Sequence, residues 1–292
     1  MGVVCWWGGR SGRGRQLKTM SYSELAMHTF TTKPWSMEQC IEEYTKRGIG
    51  GISVWRETIE GLDLKKVKRQ MDDAGLKGVA HVRGGFFTGK TVEDREAAQE
   101  KNRDCVREAE ALGLPMIVLV CGATPGQTPQ ENHDQIREGI AEMAGWAADA
   151  GIKLAIEPLH PIYAGDRSAI CTMKVANDLC EVIAAPNLGV ALDVYHVWWD
   201  LELEKETKRC AENGWLLGYH ICDFKPDQED MLLDRGVMGE GCAPLKEIDA
   251  LVKGTGFAGA VEVEIFSKKW WAEDQGRFLD HILEQYEVIY RD

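Results

Sequence analysis

The sequence predicts an α/β fold, built as a single (β/α)8 TIM barrel. Three observations predict it. Eight short apolar runs rich in Val, Ile and Leu recur along the chain, as parallel strands buried on both faces require. Longer amphipathic stretches separate them, so that β and α alternate. A glycine repeatedly stands between the end of an amphipathic stretch and the next apolar run, where a helix C-cap accepts the left-handed conformation. The length of 292 residues suits one closed barrel of about 250 residues. A doubly wound open sheet is the alternative, but no G-x-G-x-x-G follows the first run.

In chain order, the strands are expected at 25–30, 51–55, 78–82, 116–121, 153–157, 188–193, 216–221 and 259–265. Between the first two, residues 37–47 read M-E-Q-C-I-E-E-Y-T-K-R, with Cys40, Ile41 and Tyr44 on one helical face. Ser36 is placed to cap this helix and Gly48 to end it. Helical patterns follow at 92–112, 130–150, 172–184 and 244–254. The glycines of A-G-L-K (74–77), L-G-L-P (112–115), A-G-I-K (150–153) and T-G-F (255–257) lie between elements. No linker-like stretch interrupts the series, so residues 21–292 read as one catalytic domain.

Residues 1–20 differ from the rest, with four basic residues, five glycines and no acid. They are expected to be a flexible extension, or sequence preceding a natural start at Met20. Their apolar stretch is too short for a secretory signal, and Trp6 stands where a myristoylation signal needs Ser or Thr. Taking away those four positive charges leaves 21–292 at −17, against −13 for the whole chain. So acidic a body argues against nucleic acid as a partner, because duplex binders present basic stripes to the phosphates. With no apolar run of about 18 residues, no membrane partner is expected. Nine cysteines without a C-x-x-C point to reduced, buried thiols and a cytoplasmic protein.

In a parallel barrel, function collects at the C-terminal strand ends. The fifth run, K-L-A-I-E, ends in Glu157. The sixth, L-G-V-A-L-D, ends in Asp193, with His196 three residues on. The seventh carries His220 and then Asp223. The eighth, A-V-E-V-E-I-F, carries Glu262 and Glu264. Taken singly, each has an ordinary reading: a strand-end carboxylate is a helix N-cap, a lone histidine is a satisfied core residue, and Glu262 and Glu264 form the outward face of an edge strand. On four successive strands they instead imply a shared divalent cation, which supplies the positive charge that clustered buried carboxylates lack. Oxygen and nitrogen donors without thiolate suit Mn²⁺ first, and also Mg²⁺, Co²⁺ or Zn²⁺.

The stretches I-E-P-L-H-P (156–161), L-D-V-Y-H-V-W-W-D (192–200), Y-H-I-C-D-F (219–224), D-R-G-V-M-G-E-G (234–241) and V-E-V-E-I-F (261–266) carry a resemblance over roughly residues 22–290. The chain resembles the xylose-isomerase-like TIM-barrel superfamily of sugar phosphate isomerases and epimerases, with ketose 3-epimerases and inosose dehydratases among its members. The resemblance implies one metal held by Glu157, Asp193, His220 and Glu264. It implies a substrate contact for His196, from the D-x-x-H pattern, and another for Arg235. Endonuclease IV belongs to the same superfamily but uses three metals and many more histidines than the seven here.

The chemistry so implied is enolisation. A metal chelating a carbonyl and the adjacent hydroxyl acidifies the carbon between them. Glu157 and Glu264, the catalytic pair, would remove and return the proton. Return on the opposite face gives epimerisation, and return to the neighbouring carbon gives isomerisation. Loss of a β-leaving group makes the enzyme a lyase, the alternative, acting on a keto-sugar, keto-inositol or 3-keto-glycoside. The expected substrate is a keto-sugar or related polyol. Trp55, Arg56, His81, Arg83, Phe86 and Phe87 are expected to form a sugar-binding wall, and His160 to touch substrate or order Glu157. The tandem pairs Trp198–Trp199 and Trp270–Trp271 line the pocket or bury a subunit contact, in a homo-oligomer or with the small partner subunit that some relatives carry.

Overall fold

All eight apolar runs form parallel strands that close in chain order: β1 (Tyr22–His28), β2 (Ile49–Trp55), β3 (Lys77–Gly85), β4 (Met116–Val120), β5 (Lys153–Ile156), β6 (Leu188–Asp193), β7 (Leu216–Ile221) and β8 (Val261–Val263). The computed structural model describes residues 21–291, and the predicted extension at 1–20 lies outside them. Closure comes from β1 against β8, with Leu25, Ala26 and Met27 opposite Val261, Glu262 and Val263. The architecture is a single (β/α)8 barrel without a free sheet edge.

The helices are α1 (Met37–Lys46), α2 (Leu64–Asp73), α3 (Val92–Leu112), α4 (Pro129–Asp149), α5 (Met173–Ile183), α6 (Val194–Val197), α7 (Leu203–Glu212), α8 (Leu245–Gly254), α9 (Lys268–Trp271) and α10 (Gln275–Tyr286). Ser36 caps α1 in a full capping box with Gln39, and Gly113 ends α3 at φ +68°. None of the described helices is long and apolar enough to cross a membrane. The eight described cysteines are all free.

Period-two alternation decides what faces inward. Outward strand residues such as Met27, Ile117, Ile156 and Leu192 join the helices in one large core. Inward residues make a second cluster, with Ala80, Val82, Met116, Val118, Ala155 and Ala191 filling the barrel. At the C-terminal mouth the ring divides. Trp55 and Val82 make the β2–β3 side apolar. The remaining arc brings Glu157, Asp193, His220, Glu262, Glu264 and His28 inward, all buried. Glu262 and Glu264 therefore point into the barrel, and the outward edge-strand reading does not hold.

Most strand bounds differ from expectation by a few residues, and two of the differences bear on the site. β1 ends at His28 rather than at residue 30, because Thr29 already turns, with Thr31 bonding back to His28. β8 stops at Val263, and Glu264 leaves the strand onto the rim.

Candidate metal centre and active site

Strand register assembles the site. Asp193 is paired with His220, and His220 with Glu262, across β6, β7 and β8. Glu157 and Glu264 stand one residue beyond β5 and β8, each held by its backbone N–H, to Leu119 O and Ile221 O. As a result, ligand-type atoms of Glu157, Asp193, His220 and Glu264 all lie within 4.8 Å of one another. Asp193 also fulfils the ordinary reading of a strand-end acid. Its Oδ1 accepts from Tyr195 N at 2.8 Å as the cap of α6, while Oδ2 faces the site.

Each member has a defined partner. His220 Nδ1 lies 2.9 Å from Glu157 Oε1. Arg235 Nη1 donates to Asp193 Oδ2 at 2.9 Å and to Glu264 Oε2 at 2.8 Å. His196 Nδ1 accepts from His160 N at 3.1 Å. Its Nε2 lies 3.2 Å from Arg235 Nη2, which can only donate, and 3.6 Å from Asp193 Oδ2.

A deeper layer supports these groups. His28 Nδ1 lies 2.9 Å from Glu264 Oε1, and its Nε2 lies 3.3 Å from Glu262. Glu262 accepts a short hydrogen bond from Ser53 and faces His220 Nε2 at 3.7 Å.

The electrostatics record an excess of buried negative charge. Burial, with the neighbouring Glu264 and Glu157 carboxylates, raises Asp193 to about 7, against the pull of Arg235. Burial disfavours a charged His220, but Glu262 and Glu157 outweigh it and raise the imidazole to about 10. His196 is lowered well below the usual histidine range by burial and by Arg235. Glu264 is buried too, yet His28 and Arg235 hold it well below the usual carboxylate range. Three carboxylates and one imidazole converging on a buried point fit a divalent cation of oxygen and nitrogen preference.

Arg235 reaches the centre on the loop after β7, which Asp223 staples. The Asp223 carboxylate accepts from the backbone N–H groups of Phe224, Gly239, Gly241 and Ala243. A Cβ at Gly241 would meet Phe224 O at 2.3 Å, so this position demands glycine. Arg235 itself is buried between the rings of Tyr195 and Phe266, 4.4 and 4.6 Å from their centroids.

A family model described as xylose isomerase-like TIM barrel matches residues 41–282. The chain belongs to that family. Inosose isomerase of Bacillus licheniformis is 23% identical over 190 residues, 64% of this chain and 66% of that protein, just under two thirds of its length. Among solved structures, protein SMc04130 of Sinorhizobium meliloti 1021 is 38% identical, with a TM-score of 0.88 over 91% of this chain and 98% of that one. An IolI protein with a zinc atom is 19% identical, with a TM-score of 0.79 over 91% of this chain and 97% of that one, and at this identity the likeness speaks to the fold.

In this xylose isomerase-like barrel the candidate metal-centre residues open into a cavity of about 240 Å³ lined by Glu157, Glu264, His196 and Arg235. Trp55 lines it as well, stacked on Phe30 at 4.8 Å with its Nε1–H bonded to His28. His160 is not among the lining residues. Its ring packs against Phe224 and Trp199, and its backbone orders His196 rather than Glu157. Nor do Arg56, His81 and Phe87 form a sugar wall. Alternation turns His81 outward, where Glu108 of α3 binds both it and Arg56, and Phe87 is buried in the outer core. Arg83 does line the cavity, while Phe86 stands at its neighbouring groove. The tandem tryptophans brace the rim. Trp271 donates to Thr31 O and Trp199 to His196 O.

Of these members only His28 was not singled out from sequence; Glu262 was, but without a role behind His220. Glu262 was visible as the i−2 neighbour of Glu264, since one strand face takes both. His28 closes β1, and the strand-end rule finds it once β1 is ended there.

Proposed function

We propose that the chain is a divalent-metal-dependent isomerase or epimerase of a keto-sugar or related polyol, working through an enediolate. One observation carries the reading. Glu157 and Glu264 reach a single buried point from strands three positions apart around the ring, with Asp193 and His220 between them. Two carboxylates so placed can address opposite faces of one substrate carbon.

When bound, the ion would polarise a carbonyl and its neighbouring hydroxyl and stabilise the enediolate. One glutamate then removes the proton, and the other returns it on the far face or to the adjacent carbon. His196 lines the cavity beside Arg235, where it meets a substrate oxygen. Arg235 fixes Asp193 and Glu264 in place, and Glu262 orients His220 from beneath, as a carboxylate behind a ligand histidine does. Mn²⁺ is the expected ion, with Mg²⁺, Co²⁺ and Zn²⁺ as substitutes; the zinc in the IolI neighbour and the inosose isomerase relative are in keeping with this reading.

The test is metal content together with turnover on a panel of keto-sugars. Elemental analysis is expected to give about one divalent ion per chain, chelation to abolish turnover, and Asp193→Asn to lower occupancy. Full turnover by metal-free protein overturns the reading. A product that has lost water or a glycosyl group moves the assignment to a lyase.

A further inference from the structure

The cavity beside the buried carboxylates carries cations that have no ion-pair partner among the described residues. Among the described residues, Arg83 and Arg167 are the only part-buried arginines whose guanidinium makes neither a hydrogen bond nor an ion pair, and both line this cavity. The exposed Lys33 joins them at the rim, likewise without an ion pair among the described residues. All three are held through aromatic faces. Arg83 lies 4.7 Å from the Phe86 centroid and 5.8 Å from that of Trp55. Arg167 lies 5.8 Å from Tyr163, and Lys33 lies 4.6 and 4.8 Å from Phe30 and Trp271. A stacked guanidinium offers its ring-facing surface to the π system and keeps its N–H edge free for an oxyanion.

The lining acids do not satisfy these cations. Glu157 faces His220, and Glu264 faces Arg235 and His28. Glu57, on the exposed rim, attracts Arg83 without forming an ion pair. Burial lowers the Arg83 pKa, and nearby Arg167 lowers it further. In a chain of net charge −13, two facing arginines left open beside a metal centre need a positive reason.

We infer that the substrate is anionic: a keto-sugar or polyol bearing a carboxylate or phosphate, which Arg83 and Arg167 bind while the chelating oxygens face Glu157, Asp193, His220 and Glu264. Lys33 closes over the anion from the rim. This rests on the proposed enolisation for the part of the substrate at the metal, and on the cavity cations alone for the charge.

Calorimetric binding of D-fructose, D-fructose 6-phosphate and D-fructuronate to the full chain with Mn²⁺ tests it, alongside turnover. At least one anionic sugar is expected to bind about 10- to 100-fold more tightly than fructose. The phosphate and the carboxylate arms tell the two oxyanions apart. Arg83→Gln and Arg167→Gln should each collapse that ratio towards one, with metal content retained. Glu57→Gln, at an exposed position, should widen it severalfold by removing the competing acid. Equal binding of neutral and anionic sugars, or a preference that survives both arginine variants, overturns the inference. The two readings fail separately. Anion preference without turnover of any sugar removes the isomerase reading alone, whereas turnover of fructose with no anion preference removes this inference alone.

Discussion

Glu157 and Glu264 hold equivalent places at the rim but keep different company. Glu264 is pinned by Arg235 and His28 through both oxygens, whereas Glu157 meets the protein through Oε1 alone. Glutamine keeps the shape and one ligand oxygen but removes the base. Glu157→Gln is therefore expected to retain part of the metal and lose turnover by about 10²–10⁴-fold, read by steady-state kinetics with metal analysis. Glu264→Gln should lose turnover similarly and more of the metal, since it also releases Arg235 and His28. His196→Ala should weaken substrate binding or turnover with the metal in place. Most of this constellation was legible, because the strand ends of 157, 193, 220 and 264 advertise it. His28 was not, because the apolar Phe30 extends the apparent first strand past the true end. The free cations were hidden for another reason. Being unpaired is a property of three-dimensional neighbours, and nothing in R-G-G or D-R-S announces it.

At the scale of elements, the loop bearing Arg235 depends on Asp223. Asp223→Ala leaves four backbone donors to water or to nothing, and each buried unsatisfied group costs about 1–3 kcal/mol. Thermal melting should show a clear loss of stability, and turnover should fall with Arg235 no longer registered on Asp193 and Glu264. Helix α3 is docked on β3 in a comparable way, by Glu108 against His81 and Arg56. Burial opposes ionisation of Glu108, but these two partners outweigh it and lower its pKa from 4.5. A lowered carboxylate stabilises the fold above its unfolded value and loses that contribution as the pH falls through the folded one. Glu108→Gln should thus cost about 1–3 kcal/mol at pH 7, and the gap in melting temperature should narrow as the pH falls below 4.5 and on through the lowered folded value. The sequence pattern located all eight strands and five helices but left α2, α7 and α10, and the one-turn α6 and α9, unassigned. In α2 only Val67 and Met71 are buried, and in α7 the hydrophobic contacts are Leu203 and Cys210, too few for a clear helical period. Helix α10 carries a full stripe of Phe278, Leu279, Ile282, Leu283 and Tyr286, and its sequence was sufficient to reveal it.

At the scale of the whole molecule, the barrel separates a net negative exterior from a mouth that gathers cations around buried carboxylates. Its acidity predicts no appreciable binding of duplex DNA at physiological salt in a filter or mobility assay. Salt-sensitive micromolar binding with cleavage of abasic DNA would instead place a nuclease here. The closed sheet makes the mouth a single rigid ring, so the distances among Glu157, Asp193, His220 and Glu264 are set by strand register rather than by loops. The central claim is that proton transfer at a substrate carbon happens at this ring. Solvent deuterium tests it most directly: a panel of neutral and anionic keto-sugars is incubated with the Mn²⁺-supplemented protein in D₂O, and carbon-bound deuterium is followed by NMR. The account predicts deuterium at the inverted or neighbouring carbon, abolished by chelation and by Glu157→Gln. Undiminished exchange in metal-bearing Glu157→Gln and Glu264→Gln would contradict it.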